Sequence, residues 1–255
     1  MVLKNKSILT ILFFALVYIP STLNAQHEVL NVKKTNDFTV NGKGTAKNWE
    51  QAEWNLITAR DSKTLLQNNW SIPSNKMNSL TEQFKTSFKI LYSDKGVYCL
   101  YKCEDSAITA TLKGDYLNLY DEDVVEAFFW PDTTLPIYFE YELSPLNYEL
   151  PILIVNNKGK AMGWKPWQYE GEKKTIHAIS TTDVSSTNKH FTWYAEFFVP
   201  YSLLGTLGNI PPQKGTQWRA NFYRIDYDHT PVYSSWQLTR RSYHDPERFG
   251  ILQFD

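Results

Sequence analysis

The stretch "SFKILYSDKGVYCLYKCED", Ser87 to Asp105, sets apolar and aromatic residues at alternating positions on either side of Asp94, Lys95 and Gly96. Period-two alternation marks half-buried strands, and a Gly-containing turn between two of them marks a β-hairpin. Cys99 and Cys103 both fall on the second strand. Four residues of extended chain separate their Cα atoms by about 13 Å, roughly twice the span of a disulfide. Two buried, free thiols are therefore expected.

Working outward, the same pattern recurs along the chain. "DVVEAFFWPD", "IYFEYELSP", "ELPILIVNNKGKAMGW", "HFTWYAEFFVP", "TQWRANFYRIDYD", "SSWQLT" and "FGILQF" all read as strands, with a further turn at Asn157 to Gly159. Long 3.6-residue periods are missing, so helix is expected only in "TAKNWEQAEW" and in "PYSLLG" after Val199. Phe128, Phe129 and Trp130 are apolar on both parities, which requires a second sheet or long loops over each face. These features predict an all-β fold, a two-sheet antiparallel β-sandwich of jelly-roll type with short helices. Residues 62–84 and 164–190 read as polar insertions within one domain, 26–255.

The N-terminus, "MVLKNKSILTILFFALVYIPSTLNAQ", has Lys4 and Lys6, then an apolar run from Ile8 to Ile19, then small and polar residues to Ala25. This is the pattern of a secretory signal peptide over 1–25, and the run is shorter than the roughly 20 apolar residues that span a bilayer. An exported protein, periplasmic or secreted, with no membrane insertion after cleavage, is expected. Without Lys4 and Lys6, 24 basic and 27 acidic residues leave a formal charge of −3, and no basic stripe marks a nucleic-acid partner. G-x-S-x-G, H-E-x-x-H and P-loop motifs are all missing. His177 and His190 read as surface positions.

Two sets of side chains remain as candidates for a site. Carboxylates cluster in "YDEDVVEAFF", where a glycoside hydrolase would use Glu126 with Asp123 or Glu140. Aromatic residues make up 15% of the chain. Trp193, Trp218 and Trp236 read as core, Trp49 and Trp54 as one helix face, and Trp70, Trp164 and Trp167 as parts of the insertions. "GWKPWQYEG" offers Trp164 and Trp167 to a ligand, or folds them back onto the body.

In order along the chain, "NGKGTAKNWEQAEW", "YCLYKCEDSAI", "EDVVEAFFWPD", "YFEYELSPLN", "WYAEFFVPYSLLG", "WRANFYRID" and "SSWQLT" with "SYHDPERFGILQF" resemble the family 9 carbohydrate-binding modules. The resemblance implies a β-sandwich that holds a terminal sugar between two aromatic rings, falling here on Tyr120 and Tyr243. Glu126 would accept hydrogen bonds from sugar hydroxyls, Asp123 and Asn221 would extend the polar floor, and Arg241 would donate to a sugar oxygen. Both ring positions hold Tyr where the family commonly has Trp, and Glu140 and Glu142 stand where a donor would suit a sugar. The resemblance also implies structural calcium, for which Asp226, Asp228 and Asp245 are oxygen donors of the right type. The expected function is non-catalytic binding of a mono- or oligosaccharide, or of a polysaccharide chain end, in support of polysaccharide degradation. A haem-binding or protein-contact module is the other alternative, because similar sandwiches hold haem.

Overall fold

Alternation in the sequence becomes thirteen strands in a computed structural model that describes residues 27–60, 84–182, 190–228, 231–240 and 242–255. The expected leader, Arg241, Trp70 and nearly all of the 62–84 insertion lie outside the described residues. In chain order the strands are β1 (Val29–Lys34), β2 (Asn55–Ala59), β3 (Thr86–Tyr92), β4 (Gly96–Asp105), β5 (Val124–Trp130), β6 (Ile137–Leu143) and β7 (Glu149–Asn157). They continue with β8 (Lys160–Pro166), β9 (Ile176–Thr181), β10 (Phe191–Pro200), β11 (Gln217–Asp226), β12 (Val232–Ser235) and β13 (Gly250–Phe254).

One sheet runs β8-β7-β6-β5-β11, with β12 and β13 both paired to the far side of β11. The other runs β2-β3-β4-β10-β9. They are stitched along one side, where Ser234 and Ser235 of β12 meet Ala59 and Thr58 of β2. Val29 to Val32 of β1 lie parallel to β13, and Lys33 and Lys34 lie parallel to β3, so this strand crosses from one sheet to the other.

Facing residues of the two sheets fill the core. Phe88, Tyr101, Trp193 and Phe197 pack against Phe129, Tyr141, Trp218 and Phe222, all fully buried, and the rings of Phe88 and Phe222 stack with centroids 3.8 Å apart. Cys99 and Cys103 point into the same core as free thiols, as the strand spacing requires. The second parity of β5, β6 and β11 is buried as well. Val124, Phe128, Tyr138, Tyr223 and Ile225 form a separate cluster on the outer face, roofed by Leu119, Tyr243 and Phe249 from loops. This roofed outer face carries the site.

Local chemistry explains the connections. Lys158 (φ 50°) and Gly159 (φ 78°) make a two-residue turn between β7 and β8. Two successive left-handed residues are what a hairpin of that length needs to match strand twist. The expected helix at "TAKNWEQAEW" is only a 3-10 turn over Lys47–Gln51, fixed because the Trp49 indole donates to Glu196 Oε1 at 2.8 Å. Trp49 is buried while Trp54 is 42% exposed, so they do not share a buried face. After Val199 a single turn, α1 (Tyr201–Leu204), forms as read. The supposed insertion 164–190 is corrected: it contains the end of β8 and all of β9, whose apolar residues the polar composition hid. "SSWQLT" ends as a strand at Ser235, leaving Trp236 just beyond it.

Candidate functional site

Strand alternation on β5 and β6 turns Phe129, Phe139, Tyr141 and Leu143 inward and Glu126, Tyr138, Glu140 and Glu142 outward. Antiparallel register sets Glu126 directly opposite Glu142, and Glu140 opposite Phe128. The three glutamates present carboxyl oxygens within 4.8 Å of one another. Over them lies a cavity of about 450 Å³. Tyr120, Trp164, Tyr227, Tyr233, Tyr243 and His244 supply its rings, and Asp121, Glu126 and Glu140 its carboxyl groups.

The walls come from four places. Tyr120 sits on a 3-10 turn, Leu119–Asp121, whose carbonyl accepts from the Tyr227 hydroxyl at 3.0 Å. Trp164 stands on β8, 44% exposed, with its ring edge-on to Tyr120 at 6.3 Å. Tyr233 belongs to β12, and Tyr243 and His244 to the loop before β13. His244 Nδ1 lies 2.8 Å from the Tyr138 hydroxyl and its ring stacks on Phe128.

Electrostatically the floor is unusual. Burial raises Glu140 to about 8 and pushes Glu126 and Glu142 well above the carboxylate range, each helped by its acidic neighbours in the case of Glu126 and Glu142. Burial also drives His244 down to about 4. Glu140 and His244, 3.9 Å apart, are therefore both shifted by burial toward their neutral forms, which works against an ion pair between them.

Of the six expected site residues, the structure brings three to the cavity: Tyr120, Glu126 and Tyr243. Tyr243 differs from an exposed clamp. It is 9% exposed, its ring stacks on Tyr223 with centroids 3.9 Å apart, and its hydroxyl accepts from the Ser234 N–H at 3.0 Å and reaches the Arg224 carbonyl at 2.9 Å. Asp123 is not on the floor: it is fully buried and accepts the N–H groups of Thr109 and Tyr227, both at 2.7 Å, while burial raises it to about 7. Asn221 is likewise spent on structure, donating to the Tyr223 hydroxyl and the Gln237 carbonyl and accepting from Gln237 N–H. Arg241 lies outside the described residues. Tyr227, Tyr233 and His244 were not anticipated. Alternation from Tyr223 through Ile225 puts Tyr227 on the outer parity, a signal the sequence did contain.

His177 is not a free surface residue, since its Nδ1 pairs with Asn147 Oδ1 at 2.9 Å and its side chain is only 13% exposed. Trp167 packs against the core edge, so of these two tryptophans only Trp164 faces the cavity.

Oxygen donors for calcium gather differently from expectation. Asp226 and Asp228 join Asp105, not Asp245, which accepts from Arg240 at 2.9 and 3.0 Å. The Arg224 guanidinium already lies 2.7 Å from Asp105 and 2.5 Å from Asp226. Asp105 also accepts from the Trp193 indole and from Ser106 and Ala107 N–H. A positive charge and a full set of donors are thus in place, and this cluster does not fit an added cation.

A β-sandwich with a ring-walled cavity on the outer face of one sheet is the architecture of a small-ligand binding module. Residues 64–254 match carbohydrate-binding family 9, and the chain belongs to that family. Among solved structures it is similar to a Bacteroides uniformis protein assigned provisionally to carbohydrate binding, at 17% identity and TM-score 0.68, covering 90% of this chain and 100% of that one. It is also similar to a family 9 module from Caldicellulosiruptor kristjanssonii, solved with cellotriose and with glucose. The identity is 14% and the TM-score 0.52, over 89% of this chain and 94% or 96% of the module. An "Extracellular protein" of Arthroderma benhamiae is 22% identical over 143 residues, 55% of this chain. The match spans 63% of that protein's length. Among the described residues no helix is long and apolar enough to cross a membrane.

Proposed function

We propose that the chain binds carbohydrate without transforming it, holding one terminal sugar unit in the cavity over β5 and β6, as an exported protein that supports polysaccharide degradation. The observation that carries this reading is the pairing of Tyr120 and Trp164 as cavity walls with the carboxyl groups of Glu126 and Glu140 beneath them. Flat rings stack on the apolar faces of a sugar, and carboxyl oxygens meet its hydroxyls. Walls on several sides favour a chain end over the middle of a polymer. Family membership and the sugar complexes of the Caldicellulosiruptor module support the ligand class. The extracellular relative supports export.

A hydrolase would need an ionised carboxylate opposite a protonated one. Burial raises Glu126, Glu140 and Glu142 together, so none is set apart as the ionised partner. Calorimetry with a panel of mono- and oligosaccharides tests the binding reading. Tyr120→Ala and Trp164→Ala are each expected to lose on the order of 2 kcal/mol of binding, more than tenfold in affinity. Unchanged affinity in both variants removes the cavity as the site, and release of reducing sugar from the panel restores the hydrolase.

A further inference from the structure

Most other strongly buried acids of the two sheets and their loops sit among donors. Glu149 Oε2 accepts the hydroxyls of Tyr141, Tyr169 and Thr175. Glu196 accepts two backbone N–H groups and the Trp49 indole. Asp105 and Asp123 accept backbone N–H groups, and Asp105 an indole and a guanidinium as well. Glu140 and Glu142 break this rule. Glu140 Oε2 and both oxygens of Glu142 meet no donor from another side chain, so the two acids lean on each other and on the Tyr120 backbone, although they are 4% and 0% exposed. A buried polar group left unpaired is costly, so native folds keep very few without a reason.

These acids lie in and under the cavity. Glu126 and Glu140 line it with Asp121, and no Lys or Arg does so among the described residues. The groups facing Glu126, Glu140 and Glu142 include Tyr138 on β6, Tyr223 on β11 and Tyr227 just beyond it, Tyr120 and Asp121 on the 3-10 turn, and Tyr243 and His244 on the last loop. None of these is a cation at neutral pH, since burial keeps His244 neutral. The walls are aromatic faces, which attract positive charge. A neutral sugar would satisfy a carboxyl oxygen with a hydroxyl yet leave the three acids protonated. A ligand with an ammonium group would do more, because its charge would draw out their protons and pair with them.

We infer that the cavity is selective for a positively charged amino sugar, of the 2-amino-2-deoxyhexose class, over its neutral counterpart. This rests on the carbohydrate-binding reading above and names the sugar class for the same site. The sugar ring would pack against the corner that Tyr120 and Trp164 make, with its ammonium directed at Glu126 and Glu140. Glu142, directly across the strand pair from Glu126, is a third acid beneath them from which a proton could be drawn.

The experiment is titration calorimetry at pH 7 with glucosamine and its β-1,4-linked oligomers, beside glucose, cellobiose and N-acetylglucosamine. The last has the same nitrogen without its charge. Glucosamine is expected to bind at least tenfold more tightly than glucose or N-acetylglucosamine. Its binding enthalpy should also change with the ionisation enthalpy of the buffer, because protons leave the glutamates. Glu126→Gln and Glu140→Gln should lose that preference and the proton release, while cooperative melting at or above the wild-type temperature shows that they fold. Glucose binding as well as glucosamine overturns the inference and leaves the carbohydrate reading intact. Binding of no sugar at all removes both. Calcium chloride alone raising the melting temperature of the wild type, and not of Glu126→Gln, would make the glutamates a metal site and also overturn it.

Discussion

Replacing Tyr243 tests whether one ring can serve the cavity and the fold together. Its hydroxyl holds the Ser234 N–H on β12, and its face covers Tyr223. Tyr243→Phe strands that buried amide and should lower stability by about 1–3 kcal/mol. Tyr243→Ala also opens a void in the outer cluster and should cost about 3–5 kcal/mol. Urea unfolding measures both, and a loss below about 0.5 kcal/mol would return Tyr243 to the exposed role its loop position suggested. The Asp245-Pro246 turn was legible in "SYHDPERFG", but the direction of the ring was not. A tyrosine in a turn points outward unless a carbonyl and an amide from distant strands wait for its hydroxyl, and Arg224 and Ser234 are 19 and 9 residues away. Asp123 and Asn221 misled for the same reason: a short polar side chain near a site looks functional until its backbone partners are placed.

At the level of elements, β3, β4, β5, β6, β10 and β11 follow directly from alternation. Their side-chain period is two, and both faces are covered, one by the opposing sheet and one by loops. β9 escaped because "IHAIST" is partly exposed along an edge and short of apolar residues. The pairing of β5 with β6 carries a testable charge effect. Register forces Glu126 and Glu142 together, and Glu140 lies beside them. A folded-state value raised from 4.5 to about 8 at Glu140 means that the neutral acid stabilises the fold fully below about pH 4.5. That stability is lost as pH rises through about 8. Glu126 and Glu142 are shifted in the same direction. The melting temperature should therefore fall from pH 5 to pH 9. Asp105 and Asp123, raised to about 6 and about 7, act in the same sense, so comparison with Glu142→Gln isolates the glutamates. Gln carries no charge at any of these pH values, and its advantage over the wild type should grow as pH rises. An equal difference at pH 5 and pH 9 would show that Glu142 is ionised, or equally neutral, throughout.

Across the whole molecule, the two thiols report on global opening. Cys99 and Cys103 are fully buried between the sheets, and burial pushes Cys103 up to about 12 and Cys99 well above its ordinary value. Iodoacetamide should leave both unlabelled in the folded protein and attach twice after unfolding without reductant. A single label in native buffer would reveal partial opening of β4, and no label after unfolding would reveal a bridge. β1 has a different consequence, one of timing. Val29 to Val32 reach across to residues 251–254, and the same strand then passes to β3 in the opposite sheet. A ribosome delivers Val29 more than two hundred residues before its partner, so β1 has a single neighbour while β13 is still being made. The sandwich closes only when that last strand arrives. Contacts this distant in sequence slow the search for the native pairing, and throughout that wait the N-terminal segment remains accessible to whatever machinery handles an unfinished chain.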